Sequence, residues 1–181
     1  MVILRHTPGL HVPYAWLRVG SVSRRSIHNG AAVTAQLTIN GLIVGLIEND
    51  GNGGLTELFS PNYLFGWQRM NAYRTASRHH GEPIAEDRLL DALVTEAELD
   101  KAIAGLEPGA TVARLIDACD YTVDTQPVAA APRDQDAERL LAATLPPGRT
   151  GTRWQIWSGH GWTDLPPRRS AGHREGQETL P

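Results

Sequence analysis

Residues 33–60 read V-T-A-Q-L-T-I-N-G-L-I-V-G-L-I-E-N-D-G-N-G-G-L-T-E-L-F-S, and their punctuation decides the fold. Asn40-Gly41 stands between apolar runs, as in type I′ hairpin turns, where both central residues take positive φ. Before it, Val33, Ala35, Leu37 and Ile39 alternate with Thr34, Gln36 and Thr38. That alternation predicts a strand with one buried and one wet face. After it, Leu42 to Ile47 is apolar on both faces and is expected as the central strand, with Gly45 marking the close approach of a helix or a partner. Asn49-Asp50-Gly51-Asn52-Gly53-Gly54 then carries more glycine than a turn requires. A third strand follows at about 54–59.

Working outward, Ser60-Pro61 reads as a helix start, with proline at the first helical position. The helix is expected to reach Arg78 and stop at Gly81, with Leu64, Trp67, Met70 and Asn71/Arg74 as its inward stripe. A second helix starts near Pro83, where Glu86 and Asp87 suit the positive end of its dipole. Leu89, Leu90, Leu93, Val94 and Ala97 form its core face. Thr95-Glu96-Ala97-Glu98 matches a capping box at which this helix breaks and restarts. Residues 110–126 read equally as helix or strand. Asp134 caps a short helix to about Thr144, and Thr152 to Leu165 form a final hairpin around Ser158-Gly159-His160-Gly161. The expected fold is α+β: a small antiparallel β-meander packed by two or three helices, with a C-terminal Trp-rich hairpin. Residues 1–27 are expected as a flexible arm or an extra strand, 28–165 as a single domain, and 166–181 as a disordered tail.

The chain has 181 residues, 41% of them hydrophobic and 20% charged, which suffices for a real core. Its formal net charge of −3 argues against a dedicated nucleic-acid binder. Charge is unevenly spread. Residues 1–80 carry seven arginines against three acids, whereas residues 81–107 carry eight acids against Arg88 and Lys101. The lone Cys119 excludes a disulfide framework and is expected half-buried at a helix end or strand. No stretch reads as a secretory signal or a membrane span, so a cytoplasmic location is expected. Lys101 is the only lysine among 17 basic residues, the skew that GC-rich codons of a high-GC bacterium produce.

Several residues carry candidate chemistry. Glu48, Asp50 and Asn52 alternate as in oxygen-rich cation loops, but Phe59 stands where the bidentate glutamate of such a loop belongs. A tight turn is the main reading of this loop, and partner binding through Asp50, Asn52 and Gly53 the next. His79, His80 and Glu82 have the donor types of a metal site, although histidines at a helix C-terminus also complement its dipole. Glu48, Asp50, His79, His80 and Glu82 are thus weak metal candidates, and no cofactor is expected. Arg69, Arg74 and Arg78 form a basic face that could touch phosphates but is more simply a solvated one, and the acidic helix is expected either to pair with these arginines or to mimic a phosphate backbone towards an external basic partner. Trp154, Trp157 and Trp162 are too close in sequence to share one strand face, so core packing competes with partner binding. No serine elbow, Cys/His dyad or paired-carboxylate motif is present.

The strand–Asn-Gly–strand–Asn-Asp-Gly-Asn-Gly-Gly–strand pattern of Val33 to Ser60 resembles that of small proteins of phages and actinobacterial mobile elements. The resemblance implies an origin and no activity. The leading expectation is a non-enzymatic binding protein acting on a protein partner, in an accessory, regulatory or host-defence-inhibiting role. Alternatives are a metal-dependent enzyme acting on nucleic acid or a nucleotide, and a self-assembling structural or virion component; a homo-oligomer is compatible with each.

Overall fold

Two pairs of residues with positive φ bend the first half of the chain into hairpins: Asn40-Gly41 at 49° and 80°, and His80-Gly81 at 50° and 88°. The first is the turn expected between the apolar strands. The second lies where a helix was expected. The computed structural model describes residues 1–28, 30–61 and 64–167.

In chain order the elements are β1 (Val2–Ile3), β2 (Leu10–Val12), β3 (Leu17–Ile27), β4 (Gly30–Ile39), β5 (Leu42–Asn49) and β6 (Glu57–Phe59). A π-helical turn, Leu64–Arg69, leads into α1 (Met70–Ala76), followed by β7 (Arg78–His79), β8 (Glu82–Pro83) and α2 (Glu86–Ala104). The chain continues through β9 (Thr111–Ile116), β10 (Thr122–Val128), α3 (Gln135–Thr144), β11 (Arg153–Trp157) and β12 (Trp162–Asp164). Three antiparallel four-stranded sheets result, ordered β1-β2-β7-β8, β3-β4-β5-β6 and β10-β9-β11-β12. The fold is α+β, with the meander and the Trp-bearing C-terminal hairpin in place.

Of the two expectations for residues 1–27, the extra strand is the one that forms, as a fourth strand of the meander. β3 pairs with β4 from Leu17↔Ile39 to Ile27↔Gly30, with a bulge between Val19 and Val22. It therefore runs through Ser21–Ser26, a stretch that reads as linker because its arginines and serines face water. Ala35, Leu37 and Ile47 point inward and are buried. A Cβ on Gly45 would lie 2.8 Å from Leu58 and 3.0 Å from the Phe59 carbonyl, so the close approach there is made by β6 rather than by a helix or a partner.

The helix expected from Pro61 to Arg78 forms over Leu64–Ala76, as a π-helical run continued by α1, and gives way to β7 at Arg78. Met70 and Tyr73 are the buried residues of α1, while Asn71 is exposed; the side chains of Leu64 and Trp67 lie outside what is described. The Ser60 hydroxyl donates to the Val44 carbonyl, 2.7 Å away. α2 is unbroken across Thr95–Glu98 and buries Leu89, Leu90, Leu93, Val94 and Leu99. Each such side chain contributes about 1.5–3 kcal/mol relative to exposure. Its N-cap residue, Ala85, makes no side-chain capping hydrogen bond, and Glu86 and Asp87 complement the dipole there.

The ambiguous stretch 110–126 resolves as a hairpin. β9 is buried at all six positions and pairs with β10 on one side and β11 on the other. Cys119 sits exposed in the β9–β10 turn rather than half-buried in an element. Asp134 caps α3, its carboxylate accepting from the Ala137 amide at 2.8 Å. Trp157 pairs with Trp162 across the final hairpin. Of the expected tail, residues 168–181 lie outside the described residues. Two apolar cores form: one between the first two sheets, α1 and α2, the other between the third sheet and α3.

Candidate functional site

The two cores meet along residues 5–8, which thread between α2 and the third sheet. His6 is fully buried. Its Nδ1 accepts from the Trp162 indole N–H at 3.0 Å, so the ring proton sits on Nε2 and is donated to Asp100, 3.0 Å away. The His6 ring also meets Trp157 and Trp162 edge-on, with centroids 5.5 and 5.7 Å apart. One Glu96 oxygen accepts from the His6 amide at 2.6 Å and from the Thr7 hydroxyl at 3.0 Å.

Arg114, in the middle of β9, is likewise fully buried. Its Nε and Nη2 donate to Gln155 Oε1 at 2.9 and 2.6 Å, its Nη1 donates to the His6 carbonyl, and the guanidinium lies 4.0 Å above Trp162. Gln155 passes its own amide proton to Asp164 at 2.7 Å. Burial sets the ionisation of these groups. It pushes the Glu96 carboxyl up to about 7, against the His6 and Thr7 hydrogen bonds that favour the anion. It lowers Arg114 to about 10 although Glu96 acts the other way, and it lowers His6 although Asp100 opposes it. Both ring nitrogens of His6 are engaged by neighbours within the fold, so this cluster is a clamp between the two cores.

The sequence-derived candidates are dispersed. In the glycine loop, Asn49 Oδ1 accepts from the Gly51 amide at 2.7 Å and Asp50 Oδ1 from the Asn52 amide at 2.9 Å. These carboxamide and carboxylate oxygens thus close turns on their own backbone. Gly51 and Gly53 have φ of 77° and 86°, and Gly51 packs directly against the Ala31 backbone. Asp50, Asn52 and Gly53 are exposed.

His79 and His80 belong to a β-hairpin, not to a helix end, because His80-Gly81 supplies a turn of positive φ. His79 Nε2 lies 3.1 Å from the Pro8 carbonyl, and His80 Nε2 lies 3.0 Å from Asp120. Among the described residues no three His, Cys, Asp or Glu side chains converge to hold a metal; Glu48 and Asp50 stay apart from His79, His80 and Glu82. Trp154 and Trp157 are core residues, and Trp162 is half-buried under Arg114. Arg74 bonds Asn71, and Arg78 bonds the carbonyls of Thr75 and Ser77. The acids of α2 turn instead to Arg24, Thr56 and the His6 segment.

Two features escape sequence reasoning. The first is a cavity of about 270 Å³ walled by α2, the start and end of the glycine loop, and β10. Arg24, Asn49, Thr56, Arg88, Asp91 and Tyr121 face it. The second is the outer face of the meander. Leu46 and Phe59, direct cross-strand partners, are 39% and 51% exposed, and Leu42 and Ile43 at the nearby hairpin tip are 74% and 60% exposed. On the same face Glu48 lies opposite Glu57. No helix among the described residues is long and apolar enough to cross a membrane. The chain matches no protein-family model, no curated protein and no solved structure.

Proposed function

We propose that this is a non-enzymatic binding protein that docks onto a protein partner through the outer face of its meander. The observation that carries the reading is the apolar pair Leu46/Phe59 on a sheet face that no other described element covers, with Leu42 and Ile43 exposed at the nearby hairpin tip. A cluster of large apolar side chains with a polar rim is the usual signature of an interaction surface. β6 adds a free edge only three residues long, next to which a partner segment can lie. The Glu48↔Glu57 pair gives the partner its chemistry. Like charges directly opposite on a sheet repel, and lysine or arginine from a partner relieves that repulsion. The partner therefore presents an apolar anchor bordered by basic residues. The setting that fits is an accessory or regulatory role inside a high-GC bacterial cell, of the kind mobile elements encode. The partner surface is then the meander face, with the exposed Asp50–Gly53 loop at its far end, and not the tryptophans of the final hairpin.

The test is affinity capture from a high-GC bacterial lysate with the wild-type protein and with Leu46→Ser/Phe59→Ser, alongside size exclusion of each. A stoichiometric partner held by the wild type, lost from the double variant and weakened by Glu48→Lys supports the reading. Equal retention by wild type and variant overturns it. So does a partner-free wild type that self-associates until the same substitutions dissolve it, which would make the occupant a second copy. A melting temperature that rises with added divalent metal would favour a metal-dependent protein instead.

A further inference from the structure

We infer that the cavity between α2, the glycine loop and β10 is a binding site for a small zwitterion, a free α-amino acid or a molecule of that size carrying one carboxylate and one ammonium. The cavity is separate from the meander's outer face, so this inference stands or falls apart from the docking proposal.

The argument starts from which charges in the cavity are already satisfied. Arg24 is not available, since Glu98 grips it with both oxygens at 2.5 and 2.6 Å. Arg88 differs. Among the described residues it forms no ion pair within 4.0 Å, and its guanidinium lies 5.6 Å over the Tyr121 ring, facing the cavity. Asp91 is one helical turn further along α2, so Arg88 and Asp91 share one face of the helix, roughly 5–6 Å apart at Cβ. The two do not bond each other. Asp91, which lines the cavity, accepts the Thr56 hydroxyl through Oδ1 at 2.5 Å, and Oδ2 remains as a second acceptor. Across from the helix, the Thr122 hydroxyl is buried and is the described side-chain polar atom without a hydrogen-bond partner. One cation and one anion thus border the same small space, with an orphaned hydroxyl buried in its wall.

Leaving the buried Thr122 hydroxyl unmatched is costly, and a ligand of matching polarity also pairs the charges of Arg88 and Asp91. A carboxylate suits the guanidinium fork of Arg88 as a bidentate acceptor. An ammonium suits Asp91, and the Thr122 oxygen accepts a further proton from it. A phosphate or another polyanion is disfavoured: it meets the Asp91 carboxylate and finds a single unneutralised cation. An uncharged sugar leaves both charges unmatched. The volume of about 270 Å³ lies just below the range of sites for drug-sized ligands, which suits an amino acid. The floor of Ala31, Val33 and Val94 accepts a small aliphatic side chain. Thr56 and Asn49, which also bond each other at 2.9 Å, are held by the glycine loop. The glycine-rich stretch therefore has a purpose besides turning the chain: it aims Thr56 at Asp91.

The test is thermal denaturation of the full chain with each of the twenty free L-amino acids, and with the N-acetyl and amide derivatives of any that act. A true ligand at about ten times its Kd raises Tm by roughly 3–6 °C for a chain of this size. The expected result is a shift with one or a few free amino acids that both derivatives lose and that Arg88→Met and Asp91→Asn each abolish. Arg88 is exposed, and Asn retains the acceptor for Thr56, so both variants are expected to fold. Thr122→Val supplies the discriminating readout: it raises Tm without ligand, because a buried orphan hydroxyl is gone, and shrinks the shift with ligand. The inference is overturned if no free amino acid shifts Tm, if shifts survive Arg88→Met and Asp91→Asn, or if inorganic phosphate matches the amino acids.

Discussion

Replacing Glu96 by glutamine should make the protein more stable at pH 8 while leaving it nearly unchanged at pH 4. Buried between α2 and residues 5–7, the Glu96 carboxyl is raised from 4.5 to about 7. An acid raised in this way keeps its proton in the folded state after the unfolded chain has lost it. Its contribution to stability is therefore present below pH 4.5 and is lost as pH rises through about 7. At about 1.36 kcal/mol per pH unit, the interval amounts to about 3 kcal/mol. Glutamine keeps an oxygen facing the His6 amide and the Thr7 hydroxyl but has no proton to lose. The nearby Arg114 cation works against protonation of Glu96, and burial outweighs it. His6, lowered by burial, loses stability in the opposite direction, as pH falls, and does so in both proteins. It cancels when the two are subtracted. Urea denaturation followed by tryptophan fluorescence at closely spaced pH values gives the difference directly. The curves should coincide near pH 4, diverge between 4.5 and 7, and stay about 3 kcal/mol apart above that. A difference that does not vary with pH, or a variant less stable at pH 8, would refute the account of Glu96 as a buried acid.

Two further outcomes test the backbone and the helix caps. Gly51→Ala should cost on the order of 3 kcal/mol, since its φ is 77° and the new Cβ would lie 2.6 Å from the Ala31 carbonyl. Gly53→Ala, at φ 86° but in open space, should cost only about 1–2 kcal/mol, and equal losses in thermal denaturation would remove the close approach from the explanation. Asp134→Ala should cost about 1 kcal/mol, or roughly 2–4 °C in Tm, and Asp134→Asn much less; a silent alanine variant would mean that α3 does not depend on its cap.

The parts of the fold legible in the sequence are those whose signal is local. Asn40-Gly41 announces its turn because two adjacent positive φ values leave few residue choices. α2 shows its core face in the spacing of Leu89, Leu90, Leu93 and Val94, and the last hairpin shows a glycine-rich turn between tryptophans. The extra strand in residues 1–27 is an open alternative in the sequence, but its length is hidden because Arg24, Arg25 and the surrounding serines lie on a sheet that is wet along much of that strand. The His79–Glu82 hairpin was read as a helix end because arginines and histidines favour a helix C-terminus; His80-Gly81, a turn pair, was the overlooked clue. β9 was ambiguous because Arg114 interrupts its apolar run, and an arginine in a fully buried strand is rare unless partnered. Its partners are His6 and Gln155, 108 and 41 residues away. No window of sequence contains them together, so neither the clamp nor the cavity could be read before the fold was known.

The clamp also has a kinetic meaning. His6 and Trp162 are 156 residues apart, and the entropic cost of closing a loop grows with the logarithm of its length, about 0.6 kcal/mol per doubling. The meander and the β9–β10 hairpin join near neighbours and can form early, whereas the strap of residues 5–8 has its hydrogen bonds completed only when the final hairpin reaches it. Contacts of such separation slow folding. A ribosome makes this strap 156 residues before its last partner, Trp162, so the strap must wait, its histidine and flanking apolar residues open to other company, until the final hairpin arrives to lock it.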